Sequence, residues 1–347
     1  MTYTLGIDLH KRTSAWVLID GEYKEIWQKT SVLSHPHHIS SVISSLPVPP
    51  SSIKVAIEPT CGWRWVSDML VEAGMDVHFA NPLQMRCISE STQKHDKGDA
   101  RTLARMLQSG FFPEAYKVSD DIYALRTLLR TRYFFVRQAT ATKNFLQGVA
   151  TTRGLHEYPG QHPLKKPGRL YIKQGDDIIA QSLLAHIDSH AERIKTFDAP
   201  LKVMLARYPD ARLLMTIPGV GFLTALTVIA EAGDMRRFKD AGKLASFAGL
   251  VPTQRSSGDS VRFGHISHRG SRMLRTAITE AAMRIRSTNA PHLYSFYERL
   301  AVAKTAKQAR VALARKLLAV MWAMVRTQTP FQEQTTVSAK SSLSAAR

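Results

Sequence analysis

Four acidic residues of this chain have the types and spacing of a carboxylate metal site. Asp8 ends the apolar run TLGID, and Glu58 ends the apolar run IKVAIE. Asp96 and Asp99 lie three residues apart in HDKGDARTLARML, a spacing that places both on one face of a helix. Clustered carboxylates repel one another, and a hard divalent cation such as Mg²⁺, which takes oxygen ligands, relieves that repulsion. The spacing leaves a second interpretation open, in which the acids are solvated strand caps and helix-dipole partners.

A second group of chemically capable residues lies in QRSSGDSVRFGHISHRGSRMLR, residues 254–275. It contains Ser256, Ser257 and Ser260, and a serine hydroxyl becomes a nucleophile when a base, a metal or a polarised phosphate activates it. Five arginines flank these serines: Arg255, Arg262, Arg269, Arg272 and Arg275. The pattern is typical either of a nucleophilic serine or of a loop that only binds phosphate.

The motif IPGVG at residues 217–221 lies between two helical patterns. Such a turn is typical of a helix-hairpin-helix, which contacts phosphates through backbone N–H groups. An ordinary tight turn explains the proline and the two glycines equally well.

The elements that position the acids follow from hydrophobic periodicity in the first third of the chain. The pattern predicts the order βββαβαβα, with strands at 3–8, 13–19, 24–30, 53–58 and 75–80 and helices at 36–46, 62–73 and 95–109. Three antiparallel strands followed by parallel crossovers make a mixed sheet covered by helices. Asp8 and Glu58 then end two neighbouring strands, and ligands gather at the carboxyl ends of parallel strands.

The sequence pattern of the rest of the chain predicts mainly helical structure. Residues 121–150 form a long helical stretch with many basic residues, among them Arg126, Arg130, Arg137 and Lys143. Residues 151–178 break the pattern, helix resumes over 179–207, and a second globular unit begins near 210 and ends in two helices near 326. The last residues have little to bury, so we expect a disordered tail.

Composition limits the class of partner. The 347 residues include 47 Lys and Arg against 28 Asp and Glu, giving a formal net charge of +19. This excess favours a polyanion such as a nucleic acid over an acidic membrane surface. No apolar stretch is long enough to span a bilayer. With only two cysteines and no secretory pattern, we expect a cytoplasmic protein without a disulfide framework.

Several motifs together resemble a known family. GIDLHK, AIEPTCGW and HDKGDARTLARML resemble the N-terminal domain of the DEDD transposases of insertion-sequence family 110. IPGVGFLTALTVIAEAGD, FAGLVPTQRSSGDSVRFGHISHRGSRMLR and ALARKLLAVMWAMV resemble their C-terminal domain. The resemblance runs from about residue 5 to 326 and extends to Piv-type DNA invertases.

The resemblance implies an α/β plus α architecture of four parts. These are a RuvC-like, RNase H-type DEDD domain at 1–120, a helical coiled-coil region at 121–207, a mainly helical transposase domain at 208–326 and a disordered tail at 327–347. It further implies Mg²⁺ held by Asp8, Glu58, Asp96 and Asp99, and a nucleophilic serine that matches Ser257, with Ser256 and Ser260 as close alternatives.

The implied activity is that of an insertion-sequence transposase. The serine would form a covalent phosphoserine bond to DNA, and a non-coding bridge RNA would pair with donor and target DNA. Dimers and tetramers would combine the acids of one subunit with the serine of another. Two alternatives remain: a RuvC-like hydrolytic nuclease of the junction-resolvase type, and a non-catalytic RNA- or DNA-binding protein.

Overall fold

The computed structural model describes residues 2–82, 84–85, 96–257, 260–267 and 269–333. Within it the chain divides into two compact units, Met1–Lys117 and Val118–Arg347. The first unit is built on a sheet, and the second is mainly helical.

The first unit contains a five-stranded mixed sheet. Its strands are β1 (Tyr3–Leu9), β2 (Thr13–Ile19), β3 (Glu25–Leu33), β4 (Ile53–Ile57) and β5 (Asp76–Phe79). Their order across the sheet is β3-β2-β1-β4-β5, with antiparallel pairs at β1–β2 and β2–β3 and parallel pairs at β1–β4 and β4–β5. The predicted mixed α/β sheet is therefore confirmed, and its order is consistent with an RNase H-like domain.

Helices cover both faces of this sheet. They are α1 (Pro36–Ser44), α2 (Trp63–Glu72) and α3 (Asp96–Gln108). Side chains alternate between the two faces of a strand, so Leu5 and Ile7 of β1 join the core with α1 and α2. On the opposite face, Ala100 and Ala104 of α3 pack against β2. Small residues at this second contact let α3 lie close to the sheet.

The second unit begins with two long helices. They are α4 (Asp120–Arg153) and α6 (Ile178–Leu205), and the short helix α5 (Lys166–Gln174) lies between them in the chain. Leu146 and Ala150, near the end of α4, share a core cluster with Ala180 and Leu184 at the start of α6. The two long helices therefore run antiparallel. The sequence predicts an interruption of the helical pattern at residues 151–178. The structure has the helix α5 within this Gly- and Pro-rich segment, so only part of the segment is loop.

The remainder of the second unit forms one large core. Its helices are α7 (Pro209–Leu214), α8 (Phe222–Ala232), α9 (Ala241–Phe247), α10 (Arg272–Arg284), α11 (Pro291–Ala303) and α12 (Ala306–Thr327). A hairpin of β6 (Pro252–Ser257) and β7 (Ser260–Ile266) lies between α9 and α10. Helix α8 is buried over most of its length, which explains its nearly continuous apolar sequence.

Two expectations about this region need correction. Three helices, rather than two, follow the hairpin, because Pro291 starts α11 and a capping box at Thr305 and Gln308 starts α12. The sequence predicts that the tail is disordered from residue 327. Its first residues are instead held against the second unit, since the backbone N–H of Phe331 donates to the Thr216 hydroxyl. Residues 334–347 lie outside the described part. No helix in the described ranges is both long and apolar enough to cross a membrane.

Candidate functional site

Asp8 and Glu58 directly follow the last paired residues of β1 and β4. The two strands are parallel, and their paired register ends with Gly6 beside Ala56 and Ile7 beside Ile57. If this register continued by one position, Asp8 would lie opposite Glu58, on the face that carries Gly6 and Ala56. Neighbouring strands lie about 4.8 Å apart. Asp8 is only 6% exposed, whereas Glu58 is half-buried.

Helix α3 closes over the same face of the sheet. A Cβ on Gly6 would lie 1.8 Å from the carbonyl oxygen of Ala100, so the helix backbone touches β1 directly. The Thr4 hydroxyl donates to Gln108 at the other end of α3. Moving along β1 from Thr4 through Gly6 to Asp8 therefore leads towards the first turn of the helix.

The first turn of α3 carries the other two predicted acids. Asp96 is the first residue of the helix, and Asp99 is exposed. The side chain of Asp96 lies outside the described part of the structure. Asp8 Oδ2 is 3.2 Å from His10 Nε2. No group of three or more His, Cys, Asp or Glu side chains among those described is arranged to hold a metal ion. The four-acid metal site therefore remains a prediction, although topology gathers its elements.

The three candidate serines lie at the tip of the hairpin. Ser257 ends β6 and pairs with Ser260, which begins β7, and Ser256 pairs with Val261. Gly258, which the three serines surround, lies outside the described residues, as do the side chains of all three. The nucleophile therefore stays undecided between Ser256, Ser257 and Ser260.

The cations predicted to bind nucleic acid divide into two sets. Exposed side chains belong to Arg137, Lys143, Arg262, Arg269 and Arg272. Internal hydrogen bonds engage Arg126, which donates to the Ala230 carbonyl at 2.9 Å, and Arg275, which donates to the Ala248 carbonyl at 3.0 Å. Arg130 is paired with Glu231, and the Arg255 side chain lies outside the described part. The exposed cations are therefore more accessible to the phosphates of a nucleic acid than the cations that make internal contacts.

Glu231 is a structurally important residue that the sequence analysis missed. It is 3% exposed near the end of α8, and Arg130 Nε and Nη2 donate to its two carboxylate oxygens at 2.9 and 3.0 Å. The Ser271 hydroxyl also donates to it, at 2.8 Å. Burial raises the pKa of Glu231, but the Arg130 and Ser271 contacts outweigh burial and hold the pKa below its ordinary value. The sequence feature that could have indicated Glu231 is the single glutamate in the apolar run TALTVIAEAGD.

Ser271 extends this contact to the start of α10. Its side chain accepts the backbone N–H of Leu274 at 3.1 Å, which makes it the N-cap of the helix that follows the hairpin. Gly270, just before it, has φ +97°, and a Cβ there would lie 1.9 Å from the Phe247 carbonyl oxygen. The start of α10 is therefore fixed from two sides.

The IPGVG turn connects α7 to α8, as the helix-hairpin-helix interpretation requires. Gly219 has φ +83°, and a Cβ there would lie 2.9 Å from Arg284 Cβ in α10. This packing accounts for the glycine without a ligand, and phosphate binding by the turn remains untested.

Two family models and several curated relatives match this chain. Residues 5–152 match the DEDD transposase domain of the IS110 type, and residues 211–298 match the transposase domain of the IS116/IS110/IS902 family. A transposase for insertion sequence element IS1111A from Coxiella burnetii is 26% identical, covering 94% of this chain and 91% of the relative. The pilin gene-inverting protein of Moraxella bovis is 27% identical over 82% of this chain and 83% of its own. A probable family 20 transposase of Pseudomonas aeruginosa is 28% identical over 80% and 85%.

Proposed function

Since the chain belongs to the IS110/IS116 family of transposases, enzymes that cleave and rejoin DNA, we propose that it is a Mg²⁺-dependent recombinase with a serine nucleophile, guided by a bridge RNA. The observation that supports the proposal is the β1–β4 register, whose last pair, Ile7 beside Ile57, comes directly before Asp8 and Glu58. Two carboxylates in adjacent positions repel each other unless a cation lies between them.

The donor set fits Mg²⁺. Asp8, Glu58, Asp96 and Asp99 offer only carboxylate oxygens, the ligands this ion prefers, and leave room for phosphate oxygens. When bound, the ion would supply positive charge to the scissile phosphate. The protein contributes rigidity, because Asp8 lies within a central strand and the Thr60 hydroxyl ties the segment after β4 to the Leu9 carbonyl.

The proposed covalent step uses the hairpin serine. The Oγ of Ser257 attacks the phosphorus of a DNA phosphodiester, forming a serine–phosphate bond while the bond to the departing sugar oxygen breaks. The serine proton passes to a base, and the departing oxygen takes up a proton. The new phosphodiester keeps the energy of the old one, so rejoining to another strand needs no ATP.

The proposed partners are double-stranded donor and target DNA and the bridge RNA. The net charge of +19 supports a polyanion partner, and exposed cations on α4 and around the hairpin would contact phosphates. Base pairing by the RNA would then read the sequence while the protein reads backbone and shape, as in other RNA-guided systems. We further propose a homodimer that becomes a tetramer when two DNA sites are joined.

The test is covalent trapping. Full-length protein is incubated with the RNA, labelled DNA sites and Mg²⁺, and a denaturing gel separates protein–DNA adducts. We expect an adduct with the unmodified protein and none with Ser257→Ala, because only the nucleophile is removed. Ser256→Ala and Ser260→Ala are the matched controls, and both should form the adduct.

The same experiment tests the metal site and the alternatives. Asp8→Asn should form no adduct while its thermal unfolding midpoint and DNA binding stay near those of the unmodified protein. An adduct that persists in Ser257→Ala but disappears in Ser256→Ala or Ser260→Ala would reassign the nucleophile. Chelator-sensitive cleavage without any adduct would replace the proposal with a hydrolytic nuclease, and binding without cleavage would leave a non-catalytic protein.

A further inference from the structure

A groove in the second unit lies between the base of the hairpin and the start of α12. Its volume is about 940 Å³. Leu250, Ile266 and Val311 contribute apolar surface, and Lys304, Lys307 and Arg315 contribute cations. We call it the hairpin groove. None of its cations belongs to the set that the sequence analysis assigned to nucleic acid.

The cations of the hairpin groove form a row. Lys307, Val311 and Arg315 are spaced four residues apart within α12, so these three side chains lie along one face, and Lys304 lies in the extended segment just before the helix. At 1.5 Å per residue, Lys307 and Arg315 are about 12 Å apart along the helix axis. The capping box of Thr305 and Gln308 fixes the start of the helix and thereby the place of the first two lysines.

These cations carry uncompensated charge. Lys304, Lys307 and Arg315 are exposed, and in the described part of the chain none of them makes an ion pair. No acidic residue is among the described residues that line the groove. A row of unpaired cations above an apolar surface suits a strand whose phosphates repeat regularly and whose sugars are apolar.

The groove is connected to the candidate nucleophile by the hairpin itself. Pro252, which lines the groove, begins β6, and Ser257 ends it. Five residue steps along a strand span about 17 Å. Phosphates of one strand of duplex DNA advance about 3.4 Å each along the axis, so this distance corresponds to about five nucleotides.

We propose that the hairpin groove binds the phosphodiester backbone of the DNA strand that Ser257 attacks, about five nucleotides from the cut. The inference rests on the proposed function, because it takes the hairpin tip as the place of cleavage. Lys304, Lys307 and Arg315 hold the strand in line with β6, so that the scissile phosphate reaches the tip.

The first test removes two charges from the groove. Affinity of full-length Lys307→Gln/Arg315→Gln for duplex DNA containing the cleavage site is measured by fluorescence anisotropy across a range of salt concentrations. The slope of log affinity against log salt should fall in magnitude by about 0.9 for each phosphate that the variant no longer neutralises. Lys239→Gln/Lys243→Gln, which removes two exposed cations near α9, is the matched control and should leave the slope unchanged.

The second test locates the contact on the DNA. Single neutral methylphosphonates are placed at successive positions from the cut, and each duplex is titrated with both proteins. The unmodified protein should lose affinity most when the neutral group lies about five nucleotides away, and the groove variant should lose this dependence. A flat profile, an equal slope change in the control variant, or a slope change on the bridge RNA alone would overturn the inference.

The groove inference and the proposed function can fail independently, and the experiments distinguish the two failures. The groove variant should form the Ser257 adduct more slowly than the unmodified protein, because the scissile phosphate is held less firmly at the tip, whereas Ser257→Ala should form none. If the unmodified protein formed no adduct while the groove variant still changed the salt slope, the proposed chemistry would be wrong and the groove would be a DNA site of other purpose. Equal thermal unfolding midpoints for all variants establish that the comparison concerns folded protein.

Discussion

At the scale of single residues, two buried carboxylates of this chain have opposite surroundings. Glu231 accepts hydrogen bonds from Arg130 and Ser271, so its charge is compensated within the protein. Asp8 contacts His10 and is predicted to lie near a second carboxylate, Glu58, since the two residues directly follow the paired Ile7 and Ile57. A carboxylate surrounded by donors stabilises a fold, whereas carboxylates placed together favour an external cation. Glu231 is therefore a structural acid, whereas Asp8 is a candidate metal ligand.

The Glu231 contact gives a prediction on stability. Glu231→Gln keeps the size of the side chain but removes the charge that Arg130 and Ser271 contact. We expect the free energy of unfolding to fall by about 1.5–3 kcal/mol, the range for hydrogen bonds to a charged group. The lower part of that range is expected, because the Arg130 side chain is 58% exposed and solvent screens it. Chemical denaturation at pH 7 measures the change.

The difference in unfolding free energy between the unmodified protein and Glu231→Gln should depend on pH in one direction. The pKa of Glu231 in the folded chain lies below its unfolded value of 4.5. Its stabilising contribution is therefore complete above pH 4.5 and is lost as pH falls through the folded pKa. The stability gap between unmodified protein and Glu231→Gln should shrink on acidification below pH 4.5. A gap that stays constant down to about pH 3 would contradict this account, and Glu298→Gln, an exposed glutamate of α11, is the control.

The two acids also differ in how far the sequence predicts them. Asp8 and Glu58 end apolar runs, and the predicted side-by-side placement of the strands they follow, β1 and β4, is confirmed, while the site itself stays a prediction. Glu231 interrupts a helical apolar run, and its partner Arg130 lies 101 residues away. The chain alone carries no signal for that pairing, which explains why Arg130 was predicted to bind nucleic acid.

At the scale of elements, the candidate metal site depends on how closely α3 approaches β1. Gly6 makes that approach possible, since a Cβ at this position would overlap the Ala100 carbonyl oxygen. We expect Gly6→Ala to destabilise the first unit by about 1–3 kcal/mol, as overpacking of a tight core does. It should also reduce adduct formation more than it reduces DNA binding, because the first turn of α3 would move away from Asp8.

Differential scanning calorimetry and the trapping assay check this prediction together. Gly21→Ala is the matched control, because no atom lies within 4 Å of the position a Cβ would occupy there. It should leave both the unfolding midpoint and the adduct unchanged. Full stability in Gly6→Ala would show that α3 does not lie against β1 at this point.

Elements with strong periodicity were predictable, and those without it were not. The strands and helices of the first unit match the predicted ones within about three residues, because alternation and helical spacing define them. The hairpin of β6 and β7 was missed, since its polar and glycine-rich sequence PTQRSSGDSVRFGHI has no apolar alternation. Its strands depend on pairing with each other, which is a property of tertiary structure.

At the scale of the whole molecule, the proposed chemistry is divided between two units. Asp8, Glu58, Asp96 and Asp99 belong to Met1–Lys117, and Ser257 belongs to Val118–Arg347. The proposed homo-oligomer would combine the acids of one subunit with the serine of another subunit at the same DNA site.

Mixing two inactive variants tests this division. Asp8→Asn lacks a proposed metal ligand, and Ser257→Ala lacks the proposed nucleophile, so neither should recombine DNA alone. In a mixed oligomer, one pairing joins the intact acids of Ser257→Ala to the intact serine of Asp8→Asn, and recombination should return at a fraction of the unmodified rate. The measurement is the yield of joined DNA against the mixing ratio, with a maximum near equal amounts. If the two variants co-assemble yet the mixture stays inactive at every ratio, the acids and the serine of one subunit must work together.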